Sequence, residues 1–204
     1  MLEAQDLAAQ RGDATLFAAV SFAVRPGAAL IVTGANGSGK TTLLRIVAGL
    51  TRAAAGTLSW QRNAIAAFDP ALRAAALFIG HAPALKDELT AEENLASLAN
   101  LHGAHVDGVA VREALAAWSL SRQRALPARV LSQGQRRRIG LARLKLVRRP
   151  LWILDEPTTA LDNAGVGALQ AQLAAHLAHG GIAVIATHQE LVLPAAAIQS
   201  LRLQ

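Results

Sequence analysis

Gly34-Ala-Asn-Gly-Ser-Gly-Lys-Thr41 decides the reading of this chain. The stretch fits the spacing G-x-x-x-x-G-K-[ST], follows the apolar run from Ala28 to Thr33, and precedes Thr42-Leu-Leu-Arg-Ile-Val-Ala-Gly-Leu50. A buried strand, a glycine-rich loop and a helix in that order predict a phosphate-binding loop. Glycines at 34, 37 and 39 let the backbone take positive φ and turn its N–H groups toward phosphate oxygens, while the following helix adds its positive end. Gly34, Ala35, Asn36, Gly37, Ser38, Gly39, Lys40, Thr41 and Thr42 are therefore the predicted nucleotide-binding set. Within it, Lys40 would neutralise phosphate charge and the Thr41 hydroxyl would ligand a Mg²⁺.

Composition narrows the class. The chain has 204 residues, 52% of them hydrophobic, which is enough for one large domain or two small ones. Alanine inflates that share, and no segment approaches the roughly eighteen consecutive apolar residues of a bilayer span. Glu3 and Asp6 stand where a signal peptide would carry positive charge, and the absence of cysteine excludes disulfides and thiolate metal sites. A cytosolic chain, or a cytosolic chain docked on something, is the expectation. The formal charge of +6 is concentrated, with ten basic residues and no acidic one between Arg122 and Arg149. Aromatics are only 3% and Tyr is absent, so there is no stacking platform for single-stranded nucleic acid. The basic stretch reads as a solvated helix face plus groups that balance a bound nucleotide, and nucleic acid is not expected as a partner.

Taken in order, Thr15 to Val24 and Ala28 to Val32 read as strands separated by the turn Arg25-Pro26-Gly27. Gly56 to Trp60 and Ala75 to Gly80 read as further strands, and Gly80 to Lys86 as a loop. Thr90 with Glu93 forms a capping box before a helix from Asn94 to Leu101, and a second helix runs from about Val109 to Leu120. Ser132 caps a third, amphipathic helix from Arg136 to Val147, with Ile139, Ala142 and Leu146 on one side. Ser132-Gln-Gly-Gln135 at its start makes a second anion site. Leu151 to Leu154 is a buried strand that ends in Asp155-Glu156, where Asp155 can hold the Mg²⁺ shell and Glu156 can accept a proton from an attacking water. After a helix from Ala164 to Ala178, the strand Gly181 to Ala186 ends at Thr187-His188 and would lie beside the Asp155 strand.

The ordered set Gly34 to Thr41, Leu131-Ser-Gln-Gly-Gln135, Leu154-Asp-Glu-Pro157, Ala160-Leu-Asp162 and His188 resembles the ATP-binding cassette ATPases over essentially the whole chain. That resemblance implies an α/β P-loop NTPase fold with a mixed sheet, an antiparallel β subdomain and a helical insertion at about residues 87–148, all within a single domain spanning residues 1–204. It implies ATP and Mg²⁺ as cofactors, with Thr41 and Asp155 at the metal, Glu156 as general base and His188 as γ-phosphate sensor. It further implies a head-to-tail dimer in which Ser132, Gln133, Gly134 and Gln135 of one subunit clamp the ATP of the other, with Asp162 at the interface. No Asn-Lys-x-Asp base reader is present, so guanine specificity has no support.

Two positions depart from the family pattern. The usual glutamine after the Ala75 to Gly80 strand is replaced by His81, which would act on Mg²⁺ and the attacking water through a water molecule. The usual adenine-stacking aromatic is absent, and Arg11 in Gln10-Arg11-Gly12 could stack by its guanidinium plane instead.

Gly80 to Leu95, Thr15-Leu-Phe17 and the compact length are similar to the ATPase subunits of the bacterial haem exporters of cytochrome c maturation. That narrower resemblance implies integral membrane partners, a position on the cytoplasmic face of the inner membrane, and hydrolysis coupled to haem release or translocation toward the periplasm. Another small-molecule exporter, or a soluble cassette protein acting on nucleic acid or ribosomes, is the alternative. Against the latter stand the single cassette and the lack of coiled coil, and intact Lys40, Asp155, Glu156 and His188 argue against a non-catalytic regulator.

Overall fold

The chain begins with a strand that its sequence hides. In the computed structural model, which describes residues 1–194 and 198–204, β1 (Leu2–Arg11) buries Leu2, Ala4, Leu7 and Ala9. The alternation breaks between Ala4 and Leu7 because the pairing slips there, with Asp6 at φ 49°. A bulge of this kind destroys the period of two by which a half-buried strand is recognised. Side chains hold it: the Asp6 N–H donates to Ser21 Oγ at 2.9 Å, and that hydroxyl donates back to Asp6 Oδ1 at 3.2 Å. Arg11, expected ahead of the first strand, is thus the last residue of β1.

The chain divides into two compact units, Met1–Phe78 with Arg149–Glu156 and Leu173–Gln204, and Ile79–Arg148 with Pro157–Gln172. In the first unit, β1 is flanked by β2 (Ala14–Val24) and β4 (Ala55–Trp60), and β4 pairs with the short β5 (Asn63–Ile65), all antiparallel. A five-stranded sheet has the order β6-β7-β8-β3-β9, where β3 is Ala29–Gly34, β6 Ala76–Ile79, β7 Leu151–Asp155, β8 Ile182–Ala186 and β9 Ile198–Leu203. The pairs β7·β8, β8·β3 and β3·β9 are parallel. The antiparallel and parallel pairings of the expected architecture are thus divided between two sheets.

Every residue of β7 and β8 is buried, which is why both read as unbroken apolar runs. Helix α1 (Lys40–Val47) lays Leu43, Leu44, Ile46 and Val47 into the core and packs on β3, β7 and β8. Two elements carried no usable periodicity. The six residues of α2 (Pro70–Ala75) rest on Asp69, whose carboxylate accepts from the N–H groups of Ala71 and Leu72. Only Leu203 of β9 is fully buried.

In the second unit α3 (Ala91–Leu101), α4 (Gly108–Ala117) and α5 (Gln133–Leu146) pack on one another. A 3-10 turn at Ala128–Val130 leads into α5, and α6 (Asn163–Ala178) begins in this unit. The Thr90–Glu93 capping box forms as its spacing predicts; such caps contribute about 1 kcal/mol. Helix α4 stops at Ala117 rather than Leu120, since Ser119 sits at φ 58°.

Helix α5 buries Ile139 and Ala142 as expected, but more besides. Residues 139 to 144 are all buried, while Leu146 is only half-buried. A helix that touches both α3 and α4 has no solvated side wide enough for amphipathic spacing. The basic stretch is solvated at Arg122, Arg124, Arg129, Lys145 and Arg148, but not at Arg137, which is 4% exposed, or Arg143, which is 5% exposed. Burial, followed by the neighbouring Arg137 charge, pushes the Arg143 pKa down to about 10. Among the described residues, no helix is long and apolar enough to cross a membrane.

Candidate nucleotide site

The loop between β3 and α1 owes its shape to contacts that exclude a side chain. Gly39, the residue before α1, sits at φ 91°, and a Cβ there would lie 2.8 Å from the Phe17 ring and 3.1 Å from Leu16 Cβ. Glycine alone satisfies both the angle and the approach. The Lys40 ammonium is folded onto the loop, donating to the carbonyls of Gly34 and Ala35 at 2.9 Å each. Ser38 Oγ is buried in the loop with no hydrogen-bond partner.

Four further side chains meet beside the loop within the first unit. Thr41 Oγ1 donates to Asp155 Oδ2 at 2.9 Å, and Asp155, which ends β7, is 3% exposed. Glu156 is held at φ 47°, an unusual angle for a non-glycine residue, costing about 1 kcal/mol or more. Its N–H donates to Ala186 O at 2.8 Å, which fastens it to the end of β8. His188 lies two residues past that strand, and its Nε2 is 3.3 Å from Glu156 Oε1. The Asp155–Ala186 register brings the two together.

A cleft of about 260 Å³ opens here, lined by Arg11, Leu16, Lys40, Thr41, Asp155 and Glu156 among others. Leu16 had no expected role, and its place on β2 becomes meaningful only because Gly39 packs against it. A hydroxyl and a carboxylate in direct contact form an all-oxygen donor pair suited to a hard divalent cation. The unpartnered Ser38 hydroxyl and the inward-folded Lys40 suit a phosphate. The residues present therefore fit ATP with Mg²⁺.

The remaining predicted residues belong to the second unit. Ser132 and Gln135 close a capping box, with Ser132 N donating to Gln135 Oε1 at 2.9 Å and Gln135 N to Ser132 Oγ at 3.2 Å. Ser132 and Gln133 are exposed at the start of α5. A Cβ on Gly134 would stand 2.6 Å from the Ala160 carbonyl, so the helix end lies against the turn that precedes α6. Asp162 caps α6 by accepting from Gly165 N at 2.8 Å and is paired with Arg138. The Gly165 N–H first, then Arg138, hold its carboxyl below its ordinary value. The His81 side chain is exposed, while its backbone carbonyl accepts from Arg137. Sequence reasoning assigned no role to Arg137 or Asn94. The first lay inside a basic run and the second inside a helix, and neither has a local signature.

Comparison with known proteins agrees with this arrangement. The family model described as ABC transporter matches residues 17–159. The "Cytochrome c biogenesis ATP-binding export protein CcmA" of Aromatoleum aromaticum is 50% identical over 191 residues, covering 93% of this chain and 89% of that protein. An ABC transporter ATP-binding protein from Pyrococcus furiosus superposes with a TM-score of 0.84 at 23% identity, covering 99% of this chain and 96% of the other. The dimeric post-hydrolysis structure of the ATP-binding cassette MJ0796 bound to ADP and Pi gives a TM-score of 0.78 at 22% identity, covering 93% and 88%. These two structures share the fold. Motif order, site geometry and half-identical sequence converge, and the chain belongs to the ABC transporter family, among the cytochrome c biogenesis ATP-binding export proteins.

Proposed function

We propose that this chain is the ATP-hydrolysing subunit of the haem exporter for cytochrome c biogenesis, driving haem release or translocation toward the periplasm from the cytoplasmic face of the inner membrane. The observation that carries the hydrolytic reading is the Glu156–His188 pair at 3.3 Å, at the ends of adjacent parallel strands beside the Thr41–Asp155 contact. Glu156 is the general base that receives the proton of the attacking water. His188 orients that carboxylate and senses the γ-phosphate. Lys40 leaves the loop carbonyls to meet the β- and γ-phosphates, with the N–H groups of residues 34 to 42 around them. Thr41 and Asp155 hold the cation, which when bound supplies charge neutralisation at the phosphates.

Arg11, which borders the cleft, stacks on the adenine by its guanidinium plane. His81 reaches the site through water. The Ser132–Gln135 helix start, exposed at Ser132 and Gln133 and with Gly134 allowing close approach, acts on the nucleotide of a second subunit in a head-to-tail dimer, and Asp162 belongs to that interface. The membrane partners are integral transporter subunits. The whole chain is read as one nucleotide-binding domain with a helical insertion near residues 87–148. Supporting this, its two units alternate along the sequence.

Two measurements test the reading. Glu156→Gln should keep MgATP binding while hydrolysis falls about a hundredfold or more, the usual worth of a general base; near-normal turnover removes Glu156 from the role. A strain lacking the gene should fail to mature c-type cytochromes. Unaffected cytochromes would sink the haem reading and leave an exporter of another small molecule.

A further inference from the structure

The segment from Gly80 to Lys86 belongs to no helix or strand, yet two side chains of the second unit hold it. Arg137, 4% exposed, donates from Nη1 to the carbonyls of Gly80 at 2.7 Å and His81 at 2.9 Å. Its Nε donates to the carbonyl of Pro157, the residue after Glu156, at 3.3 Å. One turn further along α5, a Cβ at Gly140 would lie at ordinary contact distance, 3.5 Å, from Pro83 Cβ, so the segment runs beside the helix there. At the far end of the segment, Asn94 of α3 accepts from Lys86 N at 2.8 Å and donates to Lys86 O at 3.0 Å. The His81 imidazole is left exposed while the backbone that carries it is fastened.

A buried guanidinium is tolerated only when its donors are satisfied. Here the carbonyls of Gly80, His81 and Pro157 belong to two chain segments that carry no regular structure, and a planar fork of five donors serves both where an ammonium cannot. Arg137 itself sits on the helix that starts at Ser132, so one side chain links three segments: the helix start, the His81 backbone and the turn after Glu156.

We propose that Arg137 is a positioning residue for ATP hydrolysis, fixing the backbone of Gly80 and His81 and the Pro157 carbonyl to α5 so that the His81 side chain and the Ser132 helix start are presented in one geometry. The proposal rests on the hydrolytic reading given above.

The test uses the full-length chain with Arg137→Met, which keeps the stem and removes the fork, and Arg137→Lys, which keeps the charge. Amide exchange over residues 82–86 is compared with that over α3 and β8 in the same sample, and kcat and KM for MgATP are measured alongside. In Arg137→Met, exchange over 82–86 should rise about tenfold with α3 and β8 unchanged. In the same variant kcat should fall about tenfold with KM within about twofold. Arg137→Lys should recover only part of either loss. Unchanged exchange over 82–86, or a rise spread equally over α3, overturns the proposal, as does full recovery by lysine or a loosened segment with normal kcat. Should the unsubstituted protein hydrolyse no ATP, the hydrolytic reading fails, and exchange confined to residues 82–86 separates that failure from a failure of the Arg137 tether.

Discussion

The two units hold their functional residues by different physics. In the first, the side chains for phosphate, metal and attacking water leave the end of a parallel strand or the loop that follows one: Lys40 and Thr41 after β3, Asp155 and Glu156 at β7, His188 past β8. Their separations are set by strand register, which many backbone hydrogen bonds share. In the second, Gly80 and His81 follow β6 directly, but side-chain tethers hold the segments beyond them. Asn94 alone makes four bonds to the backbone of Lys86, Leu89 and Thr90, and Arg137 and the Ser132–Gln135 box tie down the rest. A site built on register tolerates the loss of one polar side chain but not a distorted backbone. A site built on tethers has the opposite weakness.

Asn94→Leu should break the comparison hardest. Asn94 is 2% exposed, and leucine of similar volume removes the partner of Lys86 N and Lys86 O, whereas Leu89 O keeps the Ala128 N–H and Thr90 O keeps the backbone N–H of residue 94. Each orphan costs about 1–3 kcal/mol, so a loss of about 3 kcal/mol is expected, read from chemical denaturation. Amide exchange should rise over residues 86–90 and stay constant in β7 and β8. Equal protection everywhere would show that the segment has other supports.

Gly39→Ala attacks the first unit through its backbone instead. A Cβ at 2.8 Å from the Phe17 ring with φ at 91° forces the loop off its path, at about 2 kcal/mol. Titration with MgATP should show affinity reduced about thirtyfold, while the melting temperature moves by only a few degrees. Wild-type affinity in that variant would mean the loop geometry is softer than strand register implies.

The smallest expected effect concerns the back of the first unit. His176 stacks on Trp152 with ring centres 3.8 Å apart and planes 3° from parallel, and a ring nitrogen lies 3.2 Å from the Ile182 carbonyl. Burial above all depresses its pKa below the ordinary 6.5; the Ile182 carbonyl opposes the shift and His179 adds to it. The unfolded chain therefore takes up a proton near pH 6.5 that the folded chain refuses. Stability from this residue is complete above that pH and declines as pH falls through the depressed value. Between about pH 8 and about pH 5.5 the melting temperature should drop more in the unsubstituted protein than in His176→Phe, which keeps the stack without titrating. Parallel curves would remove His176 as a source of acid sensitivity.

Much of this contrast could be read in the primary structure, though unevenly. The apolar runs of β3, β7 and β8 and the capping signals at Thr90 and Ser132 were plain because each is local. Strand β1 was hidden by the bulge at Asp6, α2 by its shortness, and β9 by its polar residues. The expected side of α5 is buried at Ile139 and Ala142, but the burial of residues 140, 141, 143 and 144 was not legible, because a helix packed on two neighbours loses the one-sided pattern that marks a surface helix.

What the sequence determined by itself was the chemistry: a loop whose glycines and Lys40 admit phosphate, two acids at a strand end, and the order of motifs that names the family. Those follow from residue types at short spacing, where backbone geometry leaves little choice. Only the tertiary structure decided which groups meet. Glu156 and His188 come within 3.3 Å because β7 and β8 are neighbours, and Arg137 is a buried tether rather than a surface charge because the carbonyls of Gly80, His81 and Pro157 converge on it. Both are products of packing between segments distant in the chain, and no local pattern of charge or hydropathy records them.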